Sequence, residues 1–186
     1  MGKVPIVALC GFLGSGKTTL LRRWRRDEEL RDTALIVHDL SDLGIDAELL
    51  SAEEKTPKAG SLVDRVAALH GKHAREQLHD SLGTALNQIC ELNPPPSLVL
   101  SESTGAARPW PLIKALTQDN RFILRHFIVT VDSLNLHRDF EDGGLLAKEP
   151  NISQDAALCR ASEAIAEQIA FASVIILTKI DTVPKS

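Results

Sequence analysis

The chain has 186 residues, of which 44% are hydrophobic and 25% charged, and its net charge is −4. This composition is typical of one folded domain over residues 1–186 and excludes intrinsic disorder, while the negative charge argues against a general nucleic-acid binder. No apolar run approaches the roughly 20 residues of a membrane span, so we expect no contact with a membrane. The three cysteines are odd in number and far apart, which is typical of a reducing compartment. We therefore expect a cytoplasmic protein that binds neither nucleic acid nor membrane.

Runs rich in β-branched residues alternate with helical patterns along the chain. We predict strands over residues 4–10, 34–38, 98–101, 127–131 and 174–178. Apolar residues recur every three or four positions from Leu78 to Leu92 and from Leu158 to Ile169, which indicates helices with one buried face. Residues 138–153 are predicted to form a long surface loop. The sequence therefore predicts an α/β fold of three layers with a mostly parallel, doubly wound sheet.

The first predicted strand runs into a glycine-rich segment. Residues 11–18 read GFLGSGKT, which matches the phosphate-loop spacing G-x-x-x-x-G-K-[ST]. Glycines let successive backbone N–H groups point at phosphate oxygens, and the helix that follows adds its positive end. We expect Lys17 to reach the β- and γ-phosphates and Thr18 to bind Mg²⁺. The predicted phosphate-binding residues are Gly11, Gly14, Ser15, Gly16, Lys17, Thr18 and Thr19.

A second apolar run, residues 98–101, leads into Glu102, and Gly105 follows three positions later. An acid at the carboxyl end of a strand beside a phosphate loop can hold Mg²⁺ through water. Gly105 has no side chain to block a phosphate, so its N–H is predicted to reach the γ-phosphate. The segment after Gly105 would then respond to the presence of that phosphate.

The last predicted strand ends in Thr178-Lys179-Ile180-Asp181, which resembles the guanine-specifying N-K-x-D loop of P-loop GTPases. The Asp181 carboxylate would accept hydrogen bonds from guanine N1–H and from the exocyclic amine. Adenine does not offer this pair of donors, so an ATP complex would leave the carboxylate unpaired. The Lys179 stem would cover the base, and Thr178 stands where Asn is usual. These residues predict GTP rather than ATP.

Several segments together resemble the CobW-like GTPases, a group that includes accessory GTPases of nickel-enzyme maturation: residues 11–21, 34–39, 44–47 and 102–109, and the stretch from 130–132 to 178–181. The resemblance implies Mg²⁺-dependent GTP hydrolysis that is coupled to delivery of zinc, cobalt or nickel, with a homodimer or a client metalloprotein as partner. It also implies that Asp39 and Glu102 bind Mg²⁺ or orient water, and that Lys17 acts on the phosphates.

The chain departs from this family in three places. Its C-x-C-C metal motif is missing, because residues 51–92 contain only Cys90. His38-Asp39 stands where the family commonly has Asn-Glu. The family continues beyond the guanine loop, so residues 1–186 are interpreted as a GTPase domain without the last guanine-loop strand and the C-terminal domain. In place of the cysteines, His70 and His73 would share one face of a helix and are candidate Zn²⁺ or Ni²⁺ ligands, the alternative being a solvated helix surface.

Two further function classes fit parts of the pattern. One is a nucleotide-binding regulatory module without metal transfer, which the missing cysteines favour. The other is a P-loop small-molecule kinase, which needs an arginine-bearing lid, whereas the predicted loop 138–153 contains only Arg138. GTP hydrolysis is the leading interpretation, and it is expected to be slow because no Gln stands next to Gly105 to orient the attacking water.

Overall fold

The computed structural model describes residues 2–24, 26–39, 66–70, 75–105, 107–136 and 154–183. Its strands are β1 (Val4–Gly11), β2 (Thr33–Asp39), β3 (Val66–His70), β4 (Leu98–Glu102), β5 (Phe122–Asp132) and β6 (Val174–Thr178). Its helices are α1 (Lys17–Trp24), α2 (Arg75–Cys90), α3 (Pro109–Gln118) and α4 (Gln154–Phe171), with a 3₁₀ turn at Glu28–Leu30. The six strands form one sheet in the order β3-β2-β4-β1-β5-β6, and every neighbouring pair is parallel.

Helices cover both faces of the sheet. Consecutive side chains of each strand point to opposite faces, so one strand contributes to the hydrophobic cluster on each side. Ile6 of β1 lies in one cluster with Leu86 of α2 and Leu112 of α3. Leu9 of the same strand lies in the opposite cluster with Leu21 of α1. Full burial of one such side chain contributes about 1.5–3 kcal/mol, so these contacts are the main attachment of the helices. The predicted three-layer α/β architecture is confirmed.

Helix α2 is amphipathic, as its spacing predicts. In α2, Leu82 and Ile89 are both buried and lie seven residues apart, on one face. Helix α3 begins at Pro109, where the missing N–H of proline is tolerated, and it buries Leu112 and Leu116. Within the described ranges, no helix is long and apolar enough to cross a membrane.

Strand β1 lies where the strand order reverses. Strands β4, β2 and β3 lie on one side of it, and β5 and β6 lie on the other. In open parallel sheets, ligands bind beyond the carboxyl ends of the strands at such a reversal. The residues at these carboxyl ends are Gly11, Asp39, His70, Glu102, Asp132 and Thr178.

Two features of the sheet differ from the sequence-based expectation. Strand β3 is not predicted, because its five residues include two alanines, which are weak strand formers; pairing with β2 creates it. Strand β5 starts at Phe122 rather than at residue 127. Arg125 and His126 interrupt its apolar run, but the early part of the strand still pairs with β1 across an irregularity in register.

We predict one helix that carries both candidate metal-binding histidines, and this prediction is wrong for His70. This residue ends strand β3, where it pairs with Asp39 of β2, and α2 begins at Arg75. Sheet pairing therefore overrides the helical pattern at this position. His73 lies outside the described residues, as do residues 44–47 of the predicted switch and the predicted loop 138–153.

Candidate functional site

The glycine-rich segment forms a tight loop between β1 and α1. Gly11, Gly14 and Gly16 have φ angles of 145°, 75° and 90°, a region that side chains other than hydrogen disfavour. A Cβ at Gly11 would collide with Thr130 Oγ1 and lie 2.6 Å from Ser15 Oγ. The Ser15 and Thr130 hydroxyl oxygens are themselves 2.7 Å apart, so this loop is held against β5. The loop conformation therefore requires glycine where the motif predicts it.

Lys17 is the first residue of α1, and its side chain is folded over the loop. The residue is 8% exposed, and its Nζ donates hydrogen bonds to the carbonyl oxygens of Gly11 at 2.8 Å and Phe12 at 3.2 Å. These contacts hold the ammonium group over the beginning of the loop, where a phosphate can meet it. Thr19, two positions further along, is exposed in the first turn of the helix.

Thr18 lies in the first turn of α1, and its side chain contacts that of Glu102 at the end of β4. Thr18 Oγ1 donates a hydrogen bond to Glu102 Oε1 over 3.0 Å, and Glu102, at the end of β4, is 3% exposed. A hydroxyl and a carboxylate oxygen side by side are the hard donors that Mg²⁺ prefers. The residues present therefore fit this ion. Asp39 ends β2 at the same edge, two positions beyond Val37, which pairs in register with Glu102.

The segment after β4 lies directly against the phosphate loop. A Cβ at Gly105 would lie 2.7 Å from the Leu13 backbone nitrogen and 2.8 Å from Leu13 Cδ2. The next residues form a turn in which Ala107 N–H donates to the Thr104 carbonyl over 3.1 Å. Gln168 of α4 donates to the carbonyl oxygens of Gly105 and Ala107, at 3.1 and 3.0 Å. Sequence reasoning missed this glutamine, because no local pattern links it to residues about sixty positions away.

The predicted guanine loop is joined to the phosphate loop. Thr178 Oγ1 lies 2.9 Å from the Ser15 carbonyl oxygen and 3.1 Å from that of Val131, and its single proton can serve either. After Thr178 the chain turns at Lys179, whose φ is 55°, and Asp181 is exposed in this turn. The threonine that replaces the usual Asn thus connects the two loops.

Asp132, at the end of β5, fixes the position of Lys179. Its carboxylate accepts hydrogen bonds from Lys179 Nζ at 2.6 Å, Asn135 Nδ2 at 2.8 Å and Leu134 N–H at 3.0 Å. Burial alone raises the pKa of Asp132, but the hydrogen bonds from Lys179 and Asn135 outweigh it and hold the pKa below its usual value. The carboxylate is therefore ionised at neutral pH and anchors Lys179 of the predicted guanine loop.

The lowered pKa of Asp132 predicts a pH-dependent loss in the Asp132→Asn variant. A carboxyl whose pKa is depressed by folding stabilises the protein above its unfolded pKa, and this contribution is lost as pH falls through the folded pKa. We expect Asp132→Asn to lower the free energy of unfolding by about 1–2 kcal/mol at pH 7, since Lys179 is partly exposed and its charge partly screened. Urea unfolding at pH 7 and at pH 3 measures the difference, which should shrink at pH 3.

The matched control is Asp32→Asn, because Asp32 is exposed in the turn before β2. Its effect should stay within about 0.5 kcal/mol at both pH values. An equal difference between wild type and Asp132→Asn at pH 7 and pH 3 would contradict the assignment of an anchoring carboxylate.

A transition-metal site is not formed by side chains in the described ranges, where no group of three or more His, Cys, Asp or Glu residues could hold an ion. Burial raises the pKa of Cys10 to about 12, so its thiol is not a ready metal ligand. Cys90 lies near the end of α2. The pairing of Asp39 with His70 places one carboxylate-bearing and one imidazole-bearing residue at the same sheet edge.

These observations define the class of protein. A strand, a glycine loop, a lysine and threonine at the start of a helix, and a carboxylate on the adjacent strand form the site of a P-loop nucleotide-binding protein. A family model described as "CobW/HypB/UreG, nucleotide-binding domain" matches residues 5–186, and the chain belongs to this family. The family resemblance predicted from the motifs is confirmed.

Relatives of known name agree with this assignment. The "Zinc chaperone CobW" of Pseudomonas aeruginosa is 28% identical over 191 residues, which cover 97% of this chain and 50% of the relative. The "Zinc-regulated GTPase metalloprotein activator 1" of Dictyostelium discoideum is 25% identical over 194 residues, which cover 97% of this chain and 41% of the relative. The chain thus spans about half the length of the curated relatives that it matches.

A solved structure shows the same fold. The crystal structure of a Zn(II)-bound triple mutant of the YjiA GTPase matches with a TM-score of 0.58 and 20% sequence identity. The match covers 100% of this chain and 52% of the other. The two chains therefore share the parallel sheet with flanking helices.

Proposed function

We propose that this chain binds GTP with Mg²⁺ and hydrolyses it slowly, as the nucleotide-binding domain of a metal-delivery GTPase. The observation that carries the proposal is the 2.9 Å contact between Thr178 Oγ1 and the Ser15 carbonyl oxygen. This contact holds the guanine loop against the phosphate loop. One nucleotide can then lie with its base near Asp181 and its phosphates near Lys17.

Hydrolysis at this site rests on charge and position. The Lys17 ammonium group and the loop N–H groups stabilise the negative charge that develops on the γ-phosphate. Thr18 and Glu102 would hold Mg²⁺, with Asp39 as a further ligand or water-orienting residue, and the ion when bound neutralises charge on the β- and γ-phosphate oxygens. Residues 103–107 read STGAA and contain no glutamine to orient the attacking water. This supports slow turnover in the isolated chain.

Metal delivery is supported by the relatives and by one backbone pairing. Matching proteins carry the name zinc chaperone. His70 pairs with Asp39 at the sheet edge that also carries Glu102, so a Zn²⁺ or other transition-metal cargo held by His70 would adjoin the nucleotide. His73 is the second proposed residue of this cargo site. A second copy of the chain or a client metalloprotein would receive the ion.

Calorimetry with non-hydrolysable GTP and ATP analogues tests the nucleotide proposal. With Mg²⁺ present, we expect the GTP analogue to bind at least about tenfold more tightly than the ATP analogue, because only guanine supplies two donors to Asp181. Equal or tighter ATP binding would overturn the guanine assignment.

Phosphate release, measured with and without Zn²⁺, tests the enzymatic and metal steps. We expect slow release of phosphate from GTP and a change in nucleotide affinity when Zn²⁺ is added. GTP binding without hydrolysis and without any response to Zn²⁺ would instead favour a regulatory module.

A further inference from the structure

Gln168 is a buried amide that the nucleotide chemistry above does not use. It lies on α4 and is 1% exposed. Both hydrogens of a side-chain amide can donate, and here Nε2 donates to the Gly105 carbonyl at 3.1 Å and to the Ala107 carbonyl at 3.0 Å. Both donors are therefore directed at the main chain that follows β4.

The surroundings of this side chain are largely apolar. Gln168 lines a small cavity that is otherwise walled mainly by apolar side chains, including Phe12 and Ile165, with Thr130 and Asp132 as its other polar lining residues. An apolar side chain would be cheaper to bury in such surroundings, since a polar group loses its hydration there. The amide is consistent with a need to hold two carbonyl groups rather than to fill volume.

The segment that Gln168 holds is fixed from several sides. Ser103 N–H donates to the Leu9 carbonyl over 2.9 Å, which continues the contact between β4 and β1. Gly105 lies against Leu13 of the phosphate loop, without room for a Cβ. Gln168 contributes the contacts from the side of α4. Together these contacts set the orientation of the peptide groups around Gly105 before any ligand binds.

An outer pair of contacts links the same segment to α4. Arg108 donates to Glu163 at 2.8 Å and to Glu167 at 2.9 Å. All three side chains are partly exposed, and such ion pairs contribute little net free energy in water. The buried amide is therefore the stronger constraint on this segment.

We propose that Gln168 is a positioning residue for recognition of the γ-phosphate. The inference rests on the proposed function, in which the Gly105 N–H meets that phosphate. Gln168 holds the Gly105 carbonyl, which belongs to the peptide group after the one that carries the Gly105 N–H. Because the main chain at Gly105 is thereby held in place, triphosphate binding does not have to order it, and the affinity for the triphosphate is higher. A diphosphate ends at the β-phosphate, which the phosphate loop holds, so its affinity does not depend on Gln168.

The test compares triphosphate with diphosphate binding in the full chain. Gln168→Met keeps a similar volume but removes both donors. With Mg²⁺ present, we expect its affinity for a non-hydrolysable GTP analogue to fall about tenfold, as for the loss of two hydrogen bonds, while its GDP affinity stays within about twofold of wild type. Gln168→Asn keeps the amide but is too short to reach the two carbonyl oxygens. It should also lower the affinity for the GTP analogue while leaving the GDP affinity nearly unchanged.

Gln88→Met is the matched control, because Gln88 is exposed on α2. It should leave both affinities unchanged. Equal losses for GTP analogue and GDP in Gln168→Met, or no loss in either, would show a structural role alone and overturn the inference. Failure of the wild-type chain to bind the GTP analogue is a different outcome, which overturns the proposed function and this inference with it.

Discussion

Replacing Lys17 with Met is expected to weaken GTP binding by at least about a hundredfold, a loss that should extend to every nucleotide the loop can hold. The ammonium group is held over the loop by the Gly11 and Phe12 carbonyl oxygens, so it would meet the phosphates of the proposed nucleotide already positioned. Methionine keeps most of the length of the side chain and removes its charge. Each charge-assisted hydrogen bond contributes about 1.5–3 kcal/mol, and two lost bonds correspond to a hundredfold or more.

Calorimetry with GTP and ATP analogues measures this change, and both affinities should fall because Lys17 is proposed to contact phosphate rather than base. Lys114→Met is the control, since Lys114 is exposed on α3. A thermal melt of each variant reports whether the fold is retained. A Lys17→Met protein that melts normally and binds GTP within about threefold of wild type would contradict the placement of the phosphates.

The second large effect is expected at the base. Asp181→Asn should weaken GTP binding by about a hundredfold. Guanine donates two hydrogen bonds, which the two carboxylate oxygens can accept, whereas an amide has only one accepting oxygen and a donating NH₂ group. Xanthine carries an oxygen in place of the guanine amine, and that oxygen can accept from the new amide group. We therefore expect the variant to gain affinity for xanthosine triphosphate as it loses affinity for GTP.

A competition experiment with GTP and xanthosine triphosphate measures the ratio of the two affinities directly. Asp32→Asn introduces the same chemical change at an exposed position away from the site, and it should leave the preference for GTP unchanged. If Asp181→Asn kept the wild-type ratio of GTP to xanthosine triphosphate affinity, another residue would have to read the base.

These two variants test separate halves of the proposed nucleotide site. Loss of Lys17 should affect guanine and adenine nucleotides alike, whereas loss of Asp181 should affect guanine alone. The halves meet where Thr178 Oγ1 approaches the Ser15 carbonyl oxygen. The Asp132 carboxylate then holds the predicted guanine loop in place through Lys179.

Local chemistry was enough to predict the phosphate loop and most of the sheet. Glycines at positions 11, 14 and 16 take up backbone angles that other residues disfavour, so their place in the motif is readable without any tertiary contact. Short runs rich in apolar residues mark β1, β4 and β6 in the same way. Because parallel strands share one carboxyl edge, the approach of Glu102 to Thr18 also follows from the motifs.

Only the tertiary structure decided the contacts between segments far apart in the chain. Strand β3 exists because β2 pairs with it, which moves His70 from an expected helix to a sheet edge. The approach of Gln168 to Gly105 depends on how α4 packs beside β1 and β5. The ion pair between Asp132 and Lys179 depends on the adjacency of β5 and β6. Periodicity and motifs report how each segment folds, whereas the strand order determines which distant side chains meet.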